Sequence, residues 1–398
     1  MSLLPVAEAI ARILTGVEPT ETERVPLAQA TGRVLAEPLA SLRTQPPFPA
    51  SAMDGYACRA ADVAALPATL RQIGESIAGK GFDGSVGPGE TVRIFTGAPV
   101  PEGADTIVIQ ENVEADGGAI KVVDGEAPEG TFIRPAGLDF SKGQVLLEAG
   151  LRLNARHVAL AAAMNHATIP VRRKPRVAIL ATGTELVAPG TEPGPDQIVA
   201  SNSFGIAAMT EALGGEAIDL GIAEDDIATI RNRLEAGLEA RPDVVITLGG
   251  ASVGDHDLVR DVLADMGFPL DFWKIAMRPG KPLMFAANDG TRLLGLPGNP
   301  VSSMVCGRVF LWPLLLALLG QTDETATTEA PLKAPMPENG PRQDYVRAVL
   351  DRTGVEAFPK QDSSMLAVLV RANALIVRPP AAPAAPAGTP VQVLPLDF

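Results

Sequence analysis

Residues 177–185 read Val177-Ala178-Ile179-Leu180-Ala181-Thr182-Gly183-Thr184-Glu185, and residues 244–250 read Val244-Val245-Ile246-Thr247-Leu248-Gly249-Gly250. Val177–Leu180 is a short, continuous apolar run, Val244–Leu248 is one broken only by Thr247, and each gives way to glycine and polar side chains. Such a run is expected of a strand covered on both faces, as in a parallel sheet flanked by helices. The neighbouring segments fit that reading. Ser201–Leu213 has helical character and stops at Gly214-Gly215, a favourable C-terminal signal. Ala217–Leu220 reads as a strand, Ile227–Leu238 as a helix with Ile227, Ile230, Leu234 and Leu238 on one face, and Leu258–Met266 as a helix stopped by Gly267. Phe272–Ile275 and Leu293–Leu296 are further strands, and Pro300–Leu319 closes the unit. Alternation at this spacing predicts a doubly wound parallel sheet with right-handed crossovers. Ligands of such sheets sit outside the carboxyl ends of the strands.

Outward from this centre the pattern changes. Pro5–Leu14 reads as a helix, while Pro46, Pro47 and Pro49 impose an extended, non-helical segment. Residues 67–150 carry short apolar runs such as Thr91–Phe95, Thr106–Gln110 and Ile120–Val123 between turn residues, which predicts a mostly β region. Asn154 is placed to cap a helix running to Met164. The final segment returns to β-like runs at Tyr345–Leu350, Leu375–Val377 and Val391–Leu394. The expected fold is therefore multidomain α/β plus β: a central doubly wound parallel-sheet domain, N-terminal mostly β and extended domains, and a C-terminal β domain. The expected boundaries are 1–46 with 139–171, 47–138, 172–322 and 323–398.

Composition narrows the function classes. A chain of 398 residues with 46% hydrophobic and 20% charged residues has ample material for several cores and is not that of a disordered protein. With 33 basic against 47 acidic residues, the formal charge of −14 argues against nucleic-acid or anionic-membrane binding. Two cysteines and three histidines form no CxxC or HExxH pattern, so neither a structural zinc site nor a disulfide framework is expected. The first residues show no signal-peptide pattern, and a cytoplasmic location is the expectation. Val301–Leu319 is very apolar but contains Arg308, Pro313 and Ser302-Ser303, which predicts a core helix rather than a membrane span.

Four polar, glycine-rich loops directly follow predicted strands. Ala181–Glu185 offers glycine for close backbone approach and oxygens from Thr and Glu, or it is a plain turn. In Glu224-Asp225-Asp226 either aspartate could cap the next helix. Gly249-Gly250-Ala251-Ser252-Val253-Gly254-Asp255-His256-Asp257 can form a backbone nest for an anion, and Asp255 or Asp257 could cap the helix behind it. Leu296–Ser303 places Pro300 in a first helical turn with Asn299 as cap, and its free N–H groups with Ser302 suit an anion. Lys274, Arg278 and Lys281 put three cations within eight residues of an acidic chain. Because exposed charges are screened over about 8 Å at physiological salt, such a cluster can dominate one cleft. Carboxylates and cations at one sheet edge suit a phosphorylated substrate with Mg²⁺, which takes one or two protein carboxylates.

The motif Thr182–Leu186 followed by Gly249–Asp257 resembles the molybdopterin-binding domain family. Three further stretches resemble the MoeA-type molybdenumtransferases, the group that includes the E domain of gephyrin. They are Pro47-Phe48-Pro49-Ala50-Ser51-Ala52-Met53-Asp54-Gly55-Tyr56-Ala57, Thr96-Gly97-Ala98-Pro99-Val100-Pro101-Glu102-Gly103, and Arg278-Pro279-Gly280-Lys281-Pro282 with Gly295–Ser303. The resemblance implies a homodimer that inserts molybdate into adenylylated molybdopterin with Mg²⁺, releasing AMP. It implies Glu185, Asp225 and Asp257 as nucleotide- and magnesium-facing acids. Asp54, Thr96, Lys274 and Arg278 complete the implied catalytic set, with Asp54 and Thr96 supplied from one subunit or its partner. Thr182, Gly183, Gly249, Gly250, Ser252, Gly254, Pro297, Gly298, Asn299 and Pro300 would hold the pterin nucleotide. Lys281, Pro282, Ser302, Arg342 and Ser363 match a molybdate pocket. Asp362, beside Ser363, departs from the family pattern, where a small or neutral residue is usual.

Two other readings follow from the same relatives. Adenylyl transfer from ATP to molybdopterin needs only the parallel domain, so residues 1–170 and the C-terminal β segment count against it. A non-catalytic scaffold of the gephyrin type is the second. A molybdopterin adenylyltransferase is a further possible partner.

Overall fold

A computed structural model describes residues 3–250, 258–288, 290–322 and 327–396. The chain divides into two compact units, one comprising Met1–Glu23, Gly32–Ala36 and Val171–Phe398, the other Arg24–Thr31 and Glu37–Pro170.

In the larger unit, a six-stranded sheet runs in the order Glu216–Ala223, Arg176–Thr182, Val244–Leu248, Thr291–Leu296, Pro282–Asn288, Leu270–Lys274. The first four strands are parallel, as the apolar runs predict. Val244–Leu248 lies at the centre and is buried along its whole length. The last two strands are antiparallel to their neighbours, so the sheet is mixed rather than wholly parallel. The cause is local: Asn288 pairs with Thr291 across a tight turn at Gly290, and a two-residue connection can join only antiparallel strands.

Helices cover both faces. Asn202–Ala212 and the long helical run from Pro300 to Leu318 pack on one side; Ile227–Glu239 and Leu258–Asp265 pack on the other. The N-terminal helix Val6–Leu14 adds Val6, Ala9 and Ile13 to the first of these cores. The run Pro300–Leu318 is long and apolar enough to cross a membrane, but 78% of it is buried inside the fold, as a core helix requires. Its middle turn, Gly307–Leu311, is a π-helical segment.

A second six-stranded sheet in this unit contains Met277–Arg278, Gln343–Asp351, Ala374–Arg378, Pro390–Pro395 and Thr328–Pro331 in that order, with Gly354–Ala357 paired to Gln343–Asp351. Met277–Arg278 joins it in parallel register, so the cationic loop beyond the central sheet is stitched into the C-terminal one.

The smaller unit holds a six-stranded, mostly antiparallel sheet in the order Thr106–Ile109, Gly55–Cys58, Glu90–Ile94, Ala68–Ser76, Ala119–Val122, Val113–Asp116. It also contains the helix Ala155–Ala163. Asn154 caps that helix by accepting from Arg156 N and His157 N, as its position predicts.

Candidate functional site

At the carboxyl ends of the four parallel strands lies a cavity of about 880 Å³. Four strand-end loops line it: Thr182, Gly183 and Glu185 after the first strand, Asp225 after the edge strand, Gly249 and Gly250 after the central one, and Pro297–Pro300 after Thr291–Leu296. Pro282 also reaches it. Ser252, Gly254 and Asp257, with Asp255, lie outside the described residues.

The two aspartates at 225 and 226 divide their roles. Asp226 occupies the cap of Ile227–Glu239, its carboxylate accepting from Thr229 N at 2.8 Å and Thr229 Oγ1 at 2.9 Å. Those bonds hold its pKa below the usual carboxylate value. Asp225 is thereby free of capping. Its carboxylate accepts from Thr184 N at 3.3 Å, and its own N–H donates to Thr184 Oγ1 at 3.2 Å. Two strand-end loops are thus clasped together, with Glu185 and Asp225 on one cavity wall.

Close backbone approach demands glycine at 249. Its φ is +96°, and a Cβ there would sit 2.5 Å from Thr182 O. The result brings Gly249 and Gly250 against the Thr182 loop and leaves their backbone facing the cavity.

The fourth loop corrects the sequence reading in two respects. Pro300 does open the helix, yet the Asn299 side chain makes no capping bond. One of the N–H groups expected to be free is also taken: Val301 N donates to Ser363 O at 3.1 Å. That bond draws Ser363 to the start of the helix, next to buried Ser302. Lys274, Arg278, Lys281, Ser302, Arg342 and Ser363 do not line the cavity. Arg278 lies on the short strand that joins the C-terminal sheet, with Arg342 bonded to Met277 O beside it, while Lys274 Nζ sits over the Trp273 ring.

Asp362 is engaged locally and kept ionised by Ser364. Its carboxylate accepts from Ser364 N at 2.9 Å and Ser364 Oγ at 2.6 Å, which lowers its pKa. Its backbone oxygen accepts from Arg347 Nη2 at 2.9 Å, while Arg347 Nη1 donates to Met365 O at 3.1 Å. Buried Arg347 therefore braces the Ser363 loop from beneath.

In the smaller unit Asp54 and Thr96 are brought together. Asp54 Oδ1 accepts from both Thr96 N and Thr96 Oγ1, and these bonds hold its pKa below the ordinary value. Gly55 has its own reason, since a Cβ would lie 2.1 Å from Val108 O.

Sequence reasoning missed one wall of the cavity, Ile198–Ser203. The strands Leu186–Val187 and Ile198–Val199 pair in parallel, with Ile198 N donating to Glu185 O at 2.8 Å. Ile198 remains 57% exposed and adds an apolar surface to the lining beside Glu185. Asn202 Nδ2 donates to Gly298 O at 2.7 Å, tying this wall to the fourth loop. The available signal was an exposed apolar pair just before a Ser-Asn-Ser helix start.

Among the described residues, no group of three or more His, Cys, Asp or Glu side chains is arranged as a metal cage.

Comparison with known proteins covers nearly the whole chain. Residues 4–165 match the MoeA N-terminal region (domain I and II), residues 178–317 the probable molybdopterin binding domain, and residues 329–396 the MoeA C-terminal region (domain IV). A molybdopterin molybdenumtransferase of Nostoc sp. is 36% identical over 90% of this chain and 85% of its own. One of Bacillus subtilis is 33% identical over 98% and 94%. A crystal structure of a molybdopterin biosynthesis MoeA protein from Pyrococcus horikoshii superposes with a TM-score of 0.88 at 30% identity, covering 99% of both chains.

Proposed function

The chain belongs to the MoeA family of molybdopterin molybdenumtransferases, and we propose that it inserts molybdate into adenylylated molybdopterin with release of AMP. The observation that carries this reading is the cavity lined by Glu185, Asp225 and the Gly249-Gly250 turn, with the cationic segment Lys274–Lys281 following in the sequence and joined to the C-terminal sheet through Met277–Arg278. The first part suits a nucleotide phosphate; the second suits a tetrahedral oxyanion.

Glu185 and Asp225 fit a magnesium ion, because this ion takes one or two protein carboxylates and completes its shell with phosphate oxygens and water. When bound, it neutralises developing phosphate charge. The Gly249 and Gly250 backbone would cradle the phosphate, and the Ile198–Val199 wall would exclude water from it. Asp257, Ser252 and Gly254 enter the proposed set through the family match alone, as do Asp54 and Thr96. Lys274 and Arg278 would balance phosphate or molybdate charge, and Lys281, Pro282, Ser302, Arg342 and Ser363 would receive molybdate. Arg at 278 supplies a planar donor fork where Lys would supply a point charge. We further propose a four-part organisation with the boundaries given above, a homodimer, a cytoplasmic location and an adenylyltransferase as donor of the pterin nucleotide.

The test is reconstitution. The purified chain with adenylylated molybdopterin, molybdate and Mg²⁺ should generate cofactor that activates an apo-molybdoenzyme. Failure at every molybdate concentration would overturn the reading, and ATP-dependent adenylylation of molybdopterin would replace it with the sister reaction.

A further inference from the structure

Asp344 is an acidic residue set between arginines. In the C-terminal sheet it stands opposite Arg278 on the parallel side and opposite Arg378 on the antiparallel side. Its residue exposure is 8%, so its carboxylate is largely removed from water, a costly placement unless charge compensates. Arg278 Nε lies 3.4 Å from Asp344 Oδ2, while the Arg278 side chain is 58% exposed. Arg378 is committed elsewhere: its Nη2 donates to the carbonyls of Pro337, Ala382 and Pro383 and so ties down the 379–383 loop. Arg342 Nη1 donates to Met277 O, which fixes it to the same two-residue strand as Arg278.

We propose that Asp344 is a positioning residue for the oxyanion: it holds Arg278 by the Nε edge, leaving the two Nη groups turned outward beside Arg342. The inference rests on the reading that molybdate is taken up by this cluster. One carboxylate faces three guanidinium groups here, an imbalance that a tetrahedral dianion would correct, and paired N–H donors on planar guanidinium suit its oxygens. Burial pushes the Asp344 pKa upward and Arg278, Arg342 and Arg378 pull it back, as expected of a carboxylate whose charge is maintained by its neighbours. A purely structural role would leave molybdate affinity untouched as long as the sheet folds.

Molybdate binding to the full chain, measured by equilibrium dialysis, separates these roles. Asp344→Asn should weaken molybdate binding about tenfold, with the KM for adenylylated molybdopterin unchanged. Asp344→Glu, which keeps the charge but moves it by one methylene, should show a loss of about threefold, and it carries the test alone if the Asn variant does not fold. In an Arg278→Ala background, the Asn substitution should add less than about a twofold loss, since the two residues act through one arm. Unchanged or tighter molybdate binding in both Asp344 variants, or full additivity with Arg278→Ala, would overturn the role. Absence of molybdate binding and turnover in the unsubstituted chain would instead overturn the function on which it rests.

Discussion

Thr96 donates twice to one carboxylate oxygen of Asp54, through its backbone N–H and its hydroxyl, each at 2.7 Å. Both bonds favour the charged form and lower the pKa from its ordinary 3.8. A lowered pKa means that the folded state keeps Asp54 ionised where the unfolded chain would protonate it. Its contribution to stability is therefore present above the ordinary value and is lost as pH falls through the folded value. In an NMR titration the Asp54 carboxyl should titrate below 3.8, and Thr96→Val should move it back upward. Asp54→Ala should reduce turnover about a hundredfold and, because the two Thr96 bonds are lost, also lower the melting temperature slightly.

The neighbouring aspartates 225 and 226 should separate cleanly. Asp226→Ala removes the helix cap and should lower the melting temperature by a few degrees while turnover is retained. Asp225→Ala should do the reverse, with turnover falling at least about a hundredfold and the fold intact. Thermal melts and steady-state rates on the two variants check this.

Gly249→Ala should be costly. The new methyl group meets Thr182 O and the backbone is in the left-handed region, so a loss of about 1–3 kcal/mol in stability is expected, together with loss of nucleotide binding. Urea unfolding and AMP binding measure the two parts.

Arg347→Met should destabilise the larger unit by about 1–3 kcal/mol, because it removes the guanidinium bonds to Gln361, Asp362 and Met365 and leaves their oxygens with backbone donors alone. The KM for molybdate should rise as well, because the Ser363 loop loses its brace. A variant with normal molybdate kinetics would show that this loop does not serve the oxyanion.

Much of this site was legible from residue order, and the gaps have physical causes. Val244–Leu248 was read correctly to the residue because its Val, Val, Ile and Leu mark a doubly covered strand, in which the small Thr247 is buried with them. Pro282–Asn288 went unrecognised because Pro279, Gly280 and Pro282 punctuate its approach, and with it went the one strand that runs against the other five. Whether Asp225 or Asp226 caps a helix cannot be decided from adjacent identical side chains; it took the bonds to Thr229 and Thr184. That Ser364 engages the Asp362 carboxylate and keeps it ionised is not visible in the sequence. The apolar Ile198 wall was hidden in a stretch rich in Gly and Pro, where turn signals outweigh a two-residue strand. Recognition of Asp54 with Thr96 came from motif resemblance, since 42 residues separate them.

The most direct measurement is the count of AMP released per molybdenum incorporated, with purified chain, adenylylated molybdopterin and Mg²⁺, as molybdate is varied. The account predicts one AMP for each molybdenum bound and almost none when molybdate is withheld. AMP release at the same rate without molybdate, or molybdenum incorporation without AMP, would contradict it.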